Sequence, residues 1–303
     1  MKPRILGASK IHESALKKAM EFAEVDVKPD LTEDDLVNII GEYDAIIVRS
    51  KPKVTKRMID AGKKLKVIGR AGVGLDNVDR DAAKAKGVEV VNSPEASTIS
   101  VAEHAIGLML SLLRHIPRGD RMIREGKWDR KLMGNELHGK TLGLIGFGRI
   151  GKEVAIRAKA FGMNVIVTDP IMTSEDAREY DAELVEQSDL LKRADIISIH
   201  VPALPSTKDI INDKTLGMMK PSAVVINTAR GHCIDEDALY RALKEKRIKG
   251  AALDVYKNEP LERSPLTELD NIVLVPHFGA NTDEGQVSAG MVVVEKIRHI
   301  LKK

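Results

Sequence analysis

Short apolar runs and amphipathic stretches take turns along this chain. Over roughly the first ninety residues "RILGA", "DAIIVRS", "LKVIGRA" and "VEVVN" read as strands, being short and rich in β-branched residues. Between them "HESALKKAMEFA", "TEDDLVNII" and "TKRMIDAGKK" carry apolar residues three and four apart, the spacing of one helix face. Such alternation predicts a parallel sheet, since parallel neighbours need a long crossover and a helix supplies it. A second alternation opens near Lys140 with "KTLGLIGFG" and runs through "NVIVTDP", "ADIISIHV", "AVVINTAR", "GAALDV" and "NIVLV". Two α/β units in tandem are expected.

Between the two lies "STISVAEHAIGLMLSLLRHIPRGDRMI", where Ser100 and Glu103 have capping-box spacing ahead of a long apolar helix. Its Ala, Gly and Leu faces predict burial against a domain or another subunit. The last segment, "NTDEGQVSAGMVVVEKIRHILKK", opens on the same spacing at Asn281 and Glu284 and predicts one long amphipathic helix. A helix returning to the first unit would make that unit discontinuous, with residues 1–96 and 281–303 enclosing an inserted domain over 97–280.

Composition narrows the partners. The 303 residues suffice for two domains with separate cores. A net charge of +3 and 3% aromatics give neither the field nor the stacking surfaces of a nucleic-acid binder, so small molecules are expected instead. One cysteine, Cys233, excludes an intramolecular disulfide and a multi-thiolate metal site and fits a reducing compartment. No apolar run approaches the ~20 residues of a membrane span, and "MKPRILGASK" lacks the apolar core of a leader. A cytoplasmic protein with no membrane partner and no metal is the expectation.

Gly146, Gly148 and Gly151 in "KTLGLIGFGRIGKEVAIRAKAFGMNVIVTDP" have the GxGxxG spacing. The triplet alone is weak, but here a strand precedes it, a helix follows, and Asp169 ends the next strand about twenty residues on. Gly146 permits the tight turn, Gly148 lets backbone amides approach a pyrophosphate, and Gly151 lets helix and strand pack closely. Asp169 is placed to accept from an adenosine ribose; its charge would repel a 2′-phosphate, which favours NAD over NADP. The same letters also fit GxxxxGK through Lys152, but a P-loop then needs Ser or Thr for magnesium, and Glu153 stands there.

A nicotinamide implies hydride transfer, and the protein must then manage a proton and the substrate's charge. Arg230 in "INTARGHCID", Glu259 in "DVYKNEP" and His277 in "VPHFGA" follow three successive predicted strands, whose ends share one sheet edge. Arg230 can fork onto a carboxylate. His277 can take or return a hydroxyl proton, and Glu259 on its other ring nitrogen would fix the tautomer. Taken singly, each is as readily an ordinary loop residue.

In these three contexts the chain resembles the D-isomer-specific 2-hydroxyacid dehydrogenases, over essentially all its residues; "VIGRAGVGLDNVD", "GKWDRKLMGNELHGKTLGLIGFGRIGKEVA" and "HVPALPSTKDIIN" carry the likeness. The resemblance implies a Rossmann-type NAD-binding domain inserted into a flavodoxin-like substrate domain, two doubly wound parallel sheets, and Arg230, Glu259 and His277 as the catalytic trio. It implies cofactor contacts at Gly146, Gly148, Arg149, Ile150, Gly151, Asp169, Val201, Pro202, Thr228, Ala229, Asp254, Gly279 and Ala280. The backbone of Gly72, Val73 and Gly74 would face the substrate, with Val73 also near the cofactor.

Within the family the likeness is greatest to members acting on a phosphorylated 2-hydroxy acid, and Arg49 and Arg70 are the candidate phosphate ligands, with Lys51 in reserve. A homodimer is implied too. Many such members carry a C-terminal regulatory domain that binds serine; the sequence stops at Lys303, so serine inhibition of that kind is not expected. His232 and Cys233 stand where relatives commonly have glycine and an apolar residue, and are read as packing residues. His200 is read as a strand-end residue near the cofactor. Glyoxylate or hydroxypyruvate reduction, and nicotinamide sensing without catalysis, use the same motifs.

Overall fold

The computed structural model describes residues 2–302. They fall into two units, one running to Thr98 and resuming at Ala280, the other Ile99–Gly279. The first holds β1 (Arg4–Gly7), β2 (Glu24–Val27), β3 (Ala45–Val48), β4 (Val67–Arg70) and β5 (Glu89–Asn92) in the order β2-β1-β3-β4-β5. Every pairing is parallel, as in flavodoxin-like sheets.

Central β3 is buried at all four residues because both its faces are covered. Ile46 and Val48 join Leu6, Leu36, Met58 and Ile68 on one side. Ala45 and Ile47 join Ile5, Val67, Val293, Val294 and Ile297 on the other, the last three from the helix Asp283–Leu301. That helix lies close on β4: a Cβ at Gly69 would stand 2.5 Å from Val293 Cγ1 and 2.7 Å from Ile297 Cδ1. Its N-cap is Thr282, whose Oγ1 accepts from Gly285 N at 3.0 Å, not Asn281 as the spacing suggested; Asn281 accepts from Gln286 instead.

The second unit holds β6 (Thr141–Ile145), β7 (Asn164–Thr168), β8 (Ala182–Leu184), β9 (Ile196–Ile199), β10 (Val224–Asn227), β11 (Gly250–Leu253) and β12 (Ile272–Leu274). Their order is β12-β11-β10-β9-β6-β7-β8, again all parallel. The strand order reverses about β6, which lies between β7 and β9; a ligand crevice opens at such a switch point, outside the carboxyl ends of the strands.

The helix Thr98–Leu113 covers one face, burying Ala102, Ala105, Leu108, Met109 and Leu112 against β6, β7 and β10 residues. Each of the larger side chains contributes about 1.5–3 kcal/mol on leaving water. It begins two residues before Ser100, which is buried inside the first turn and is not the N-cap. It stops at Leu113, and after His115, at φ 55°, the helix Ile116–Arg124 starts with Pro117 in its first turn, bent by 60° from the first. Among the described residues no single helix is long and apolar enough to cross a membrane.

Candidate active site

The glycine loop follows β6 directly. Gly146 has φ 95°, a left-handed conformation, and a Cβ there would lie 2.7 Å from His200 O. A Cβ at Gly151 would lie 2.5 Å from Gly146 O, so the helix Arg149–Ala160 meets the turn closely only because position 151 is bare. At Gly148, the N-cap of that helix, an added Cβ meets nothing within 4 Å. Its bareness therefore serves no contact inside the chain and leaves the helix N-terminus open to an anion. Arg149 is exposed and Ile150 half-buried at the same terminus.

Asp169 follows β7, accepting from Phe147 N at 2.8 Å and Ile171 N at 2.9 Å. One carboxylate thus pins the glycine turn to the end of the neighbouring strand. Beyond β9, Val201 and Pro202 lead into a loop tied by Thr207, whose Oγ1 donates to Pro202 O at 2.7 Å. Thr228 is buried, and its Oγ1 has no hydrogen-bond partner within the protein; the same holds for His200 Nδ1. Buried polar atoms are rarely left so, and at the carboxyl ends of the strands these two suit a polar ligand. The residues present fit a dinucleotide.

Register brings the chemistry to one level. Asn227 pairs with Leu253, and Leu253 with Leu274, so the segments after β10, β11 and β12 emerge side by side. Arg230 comes from the first, its Nη1 donating to Ala229 O at 2.7 Å. Glu259 comes from the second and His277 from the third, and these two meet: His277 Nδ1 is 2.6 Å from Glu259 Oε2. The other oxygen, Oε1, accepts from Tyr256 N at 3.0 Å, which fixes the carboxylate's direction. A carboxylate so close places the ring proton on Nδ1 and leaves Nε2 as the nitrogen able to exchange a proton. Tyr256 in turn donates to Val275 O at 2.8 Å, joining the β11 and β12 segments.

Asp254, first residue beyond β11, is 2% exposed. Burial alone would raise its pKa, but contact with His104 and hydrogen bonds from Phe278 N and Gly279 N hold the carboxyl below its usual range. The two backbone bonds measure 2.9 and 3.0 Å, and His104 Nε2 lies 3.4 Å from Oδ1. His104 escaped the sequence reading. Its signal was a polar ring among Val101, Ala105 and Leu108 on a buried helix face.

Other candidates have structural work. Burial pushes the His200 ring down to about 4, so it is neutral near pH 7; its Nε2 contacts Ser198 Oγ at 2.9 Å. His232 Nε2 lies 3.3 Å from Thr207 Oγ1. The Cys233 thiol is buried and pushed up to about 11 by that burial, far from a nucleophile's range. Among the described residues no group of His, Cys, Asp and Glu could hold a metal ion.

In the first unit Arg49 follows β3 and Arg70 ends the adjacent β4, with Val48 paired to Arg70. Burial lowers the pKa of Arg49. Its backbone N donates to Ser9 Oγ at 2.9 Å and its carbonyl accepts from Asn77, which also ties Pro52 O, so the loop through Lys51 is fixed. Gly72, at φ 140°, would with a Cβ collide with Arg70 Nη1 at 1.6 Å, so the guanidinium folds across the bare backbone. Gly72 N donates to Ser93 Oγ at 2.8 Å, and Asn92 Nδ2 to Val73 O at 2.5 Å; Gly74 follows in the same half-buried turn. Ala280, next after Gly279, is exposed.

Residues 106–279 match the family described as D-isomer specific 2-hydroxyacid dehydrogenase, NAD binding domain. The D-3-phosphoglycerate dehydrogenase of Methanocaldococcus jannaschii is 50% identical over 301 residues, 99% of this chain and 57% of that protein. The hydroxypyruvate reductase of Thermotoga maritima is 48% identical over 95% of this chain and 94% of its own length. The chain spans little more than half the length of several phosphoglycerate dehydrogenases it matches. Among solved structures, D-lactate dehydrogenase from Aquifex aeolicus, complexed with NAD and lactic acid, superposes with a TM-score of 0.84 at 29% identity, covering 99% of this chain and 95% of that one.

Proposed function

Because the chain belongs to the D-isomer-specific 2-hydroxyacid dehydrogenases, we propose that it oxidises D-3-phosphoglycerate to 3-phosphohydroxypyruvate with NAD, the first step of phosphorylated serine biosynthesis. The observation that carries the chemistry is the 2.6 Å contact of His277 Nδ1 with Glu259, on the sheet edge that also bears Arg230 and Asp254. When bound, the nicotinamide supplies a hydride acceptor or donor. His277 Nε2 takes the hydroxyl proton in oxidation and returns it in reduction, and Glu259 stabilises the imidazolium between. Arg230 forks onto the substrate carboxylate, which orients C2. Arg49 and Arg70 are assigned to the phosphate, and Asp254 to the nicotinamide carboxamide.

A second reading has its own support. The Thermotoga maritima hydroxypyruvate reductase is nearly as similar and is matched over nearly its whole length. The trio serves any small 2-oxo acid, so the phosphate ligands alone separate the two. Steady-state NADH oxidation with phosphohydroxypyruvate, hydroxypyruvate and glyoxylate at matched concentrations decides. Preference for the phosphorylated acid is the expected result; preference for hydroxypyruvate or glyoxylate moves the enzyme to the reductase branch. Binding of NADH with no turnover on any of the three would make it a nicotinamide-sensing protein. A cytoplasmic homodimer completes the proposal, its interface supported by the exposed apolar side chains Ile116, Ile123, Trp128 and Met133.

A further inference from the structure

We infer that His104 is a positioning residue for hydride transfer, gripping the segment that carries His277 and the carboxylate assigned to the nicotinamide carboxamide. The inference rests on the reading that a nicotinamide dinucleotide binds at this edge. Three contacts converge on the ring. Its Nε2 is 3.4 Å from Asp254 Oδ1. Its plane meets the Phe278 ring edge-on, with centroids 5.1 Å apart at 60°. Its Cδ2 would be 3.1 Å from a Cβ at Gly279, a position where Asp254 Oδ2 would also be only 2.8 Å away. The ring and the carboxylate together close the space around residues 278 and 279, so only glycine fits the second of them.

The physical need for such a grip lies one residue earlier. His277 has φ 49°, in the left-handed region that a residue with a Cβ rarely adopts. Such a conformation persists only where its surroundings over-determine it. The Phe278 and Gly279 N–H groups are fixed by Asp254, and Asp254 is a buried charge that needs donors on every side. His104, 16% exposed, brings its ring Nε2 to 3.4 Å from that carboxylate, a polar contact short of a hydrogen bond, from a helix that is otherwise apolar on this face. Helix, β11 segment and His277 segment are thereby linked through two side chains, His104 and Asp254.

The test compares NADH with ADP-ribose, which lacks the nicotinamide, by fluorescence titration and calorimetry on H104F and H104Q. Losing the polar contact with the buried Asp254 carboxylate should weaken NADH binding by about tenfold in H104F. ADP-ribose affinity should stay at the wild-type value, because the glycine loop is untouched. H104Q, which keeps an N–H donor, should recover most of the loss. In turnover, kcat should fall more than the KM for the oxo acid rises. Equal changes for NADH and ADP-ribose, or none, would overturn the assignment. If H104F does not fold, H104N serves in its place, since its amide is too short to reach Asp254. Failure of wild-type protein to bind NADH at all would remove the functional reading itself, a result distinct from either outcome with the variants.

Discussion

At His277 the backbone and the side chain are held by different partners. Glu259 aims the ring through Nδ1, while Asp254 anchors the next two amides, and neither contact is between neighbours in sequence. Changing His277 to Ala should therefore lower kcat by about 10²–10⁴, the range for loss of a general acid-base group, with NADH affinity within about twofold of wild type. Stopped-flow and titration measure the two separately; near-native turnover would remove the proton-transfer role. The Glu259 and His277 pairing was readable in the sequence because both residues follow strands whose ends had to share an edge. His104 was not, since a single histidine on an apolar helix face has no periodic or spacing signal. Nor could the sequence show that both Asp169 oxygens are taken by backbone N–H groups, because the Phe147 bond crosses 22 positions.

The glycine turn and the end of β7 act as one element through Asp169. Replacing Asp169 with Ala removes both the proposed ribose acceptor and the bond from Phe147 N, so NAD affinity should fall relative to NADP by about tenfold. A calorimetric ratio of the two affinities that stays fixed would sink the ribose contact. Elements with buried, β-branched cores were legible, as with "AIIV" in β3 and "VVIN" in β10. The edges were not. Strand β2, "EVDV", has no buried residue, and β8 is three residues long, so neither shows the apolar run that marks an inner strand. Helix starts slipped for a related reason: one helix already begins at Thr98, ahead of Ser100, and Thr282 rather than Asn281 caps the helix Asp283–Leu301 once backbone geometry is set.

For the molecule as a whole, the segment from Ile116 to Met133 carries apolar side chains left exposed among the described residues. Trp128 is 81% and Met133 86% exposed, more than a solitary surface residue needs to be. On the proposed dimer, replacing Ile123 and Trp128 by Glu and Ser should shift sedimentation to monomer; a wild-type chain that sediments as a monomer would exclude the assembly outright. Segment order has another consequence, this time for synthesis. The five strands of the first sheet all lie before residue 93 and are translated ahead of the second unit, yet the helix Asp283–Leu301 that covers one of their faces comes after that whole unit. Until then Ile5, Ile47 and Val67 have no Val293 or Ile297 against them. The inserted unit can close its own core on the nascent chain, while the older sheet waits half-clothed for the last helix.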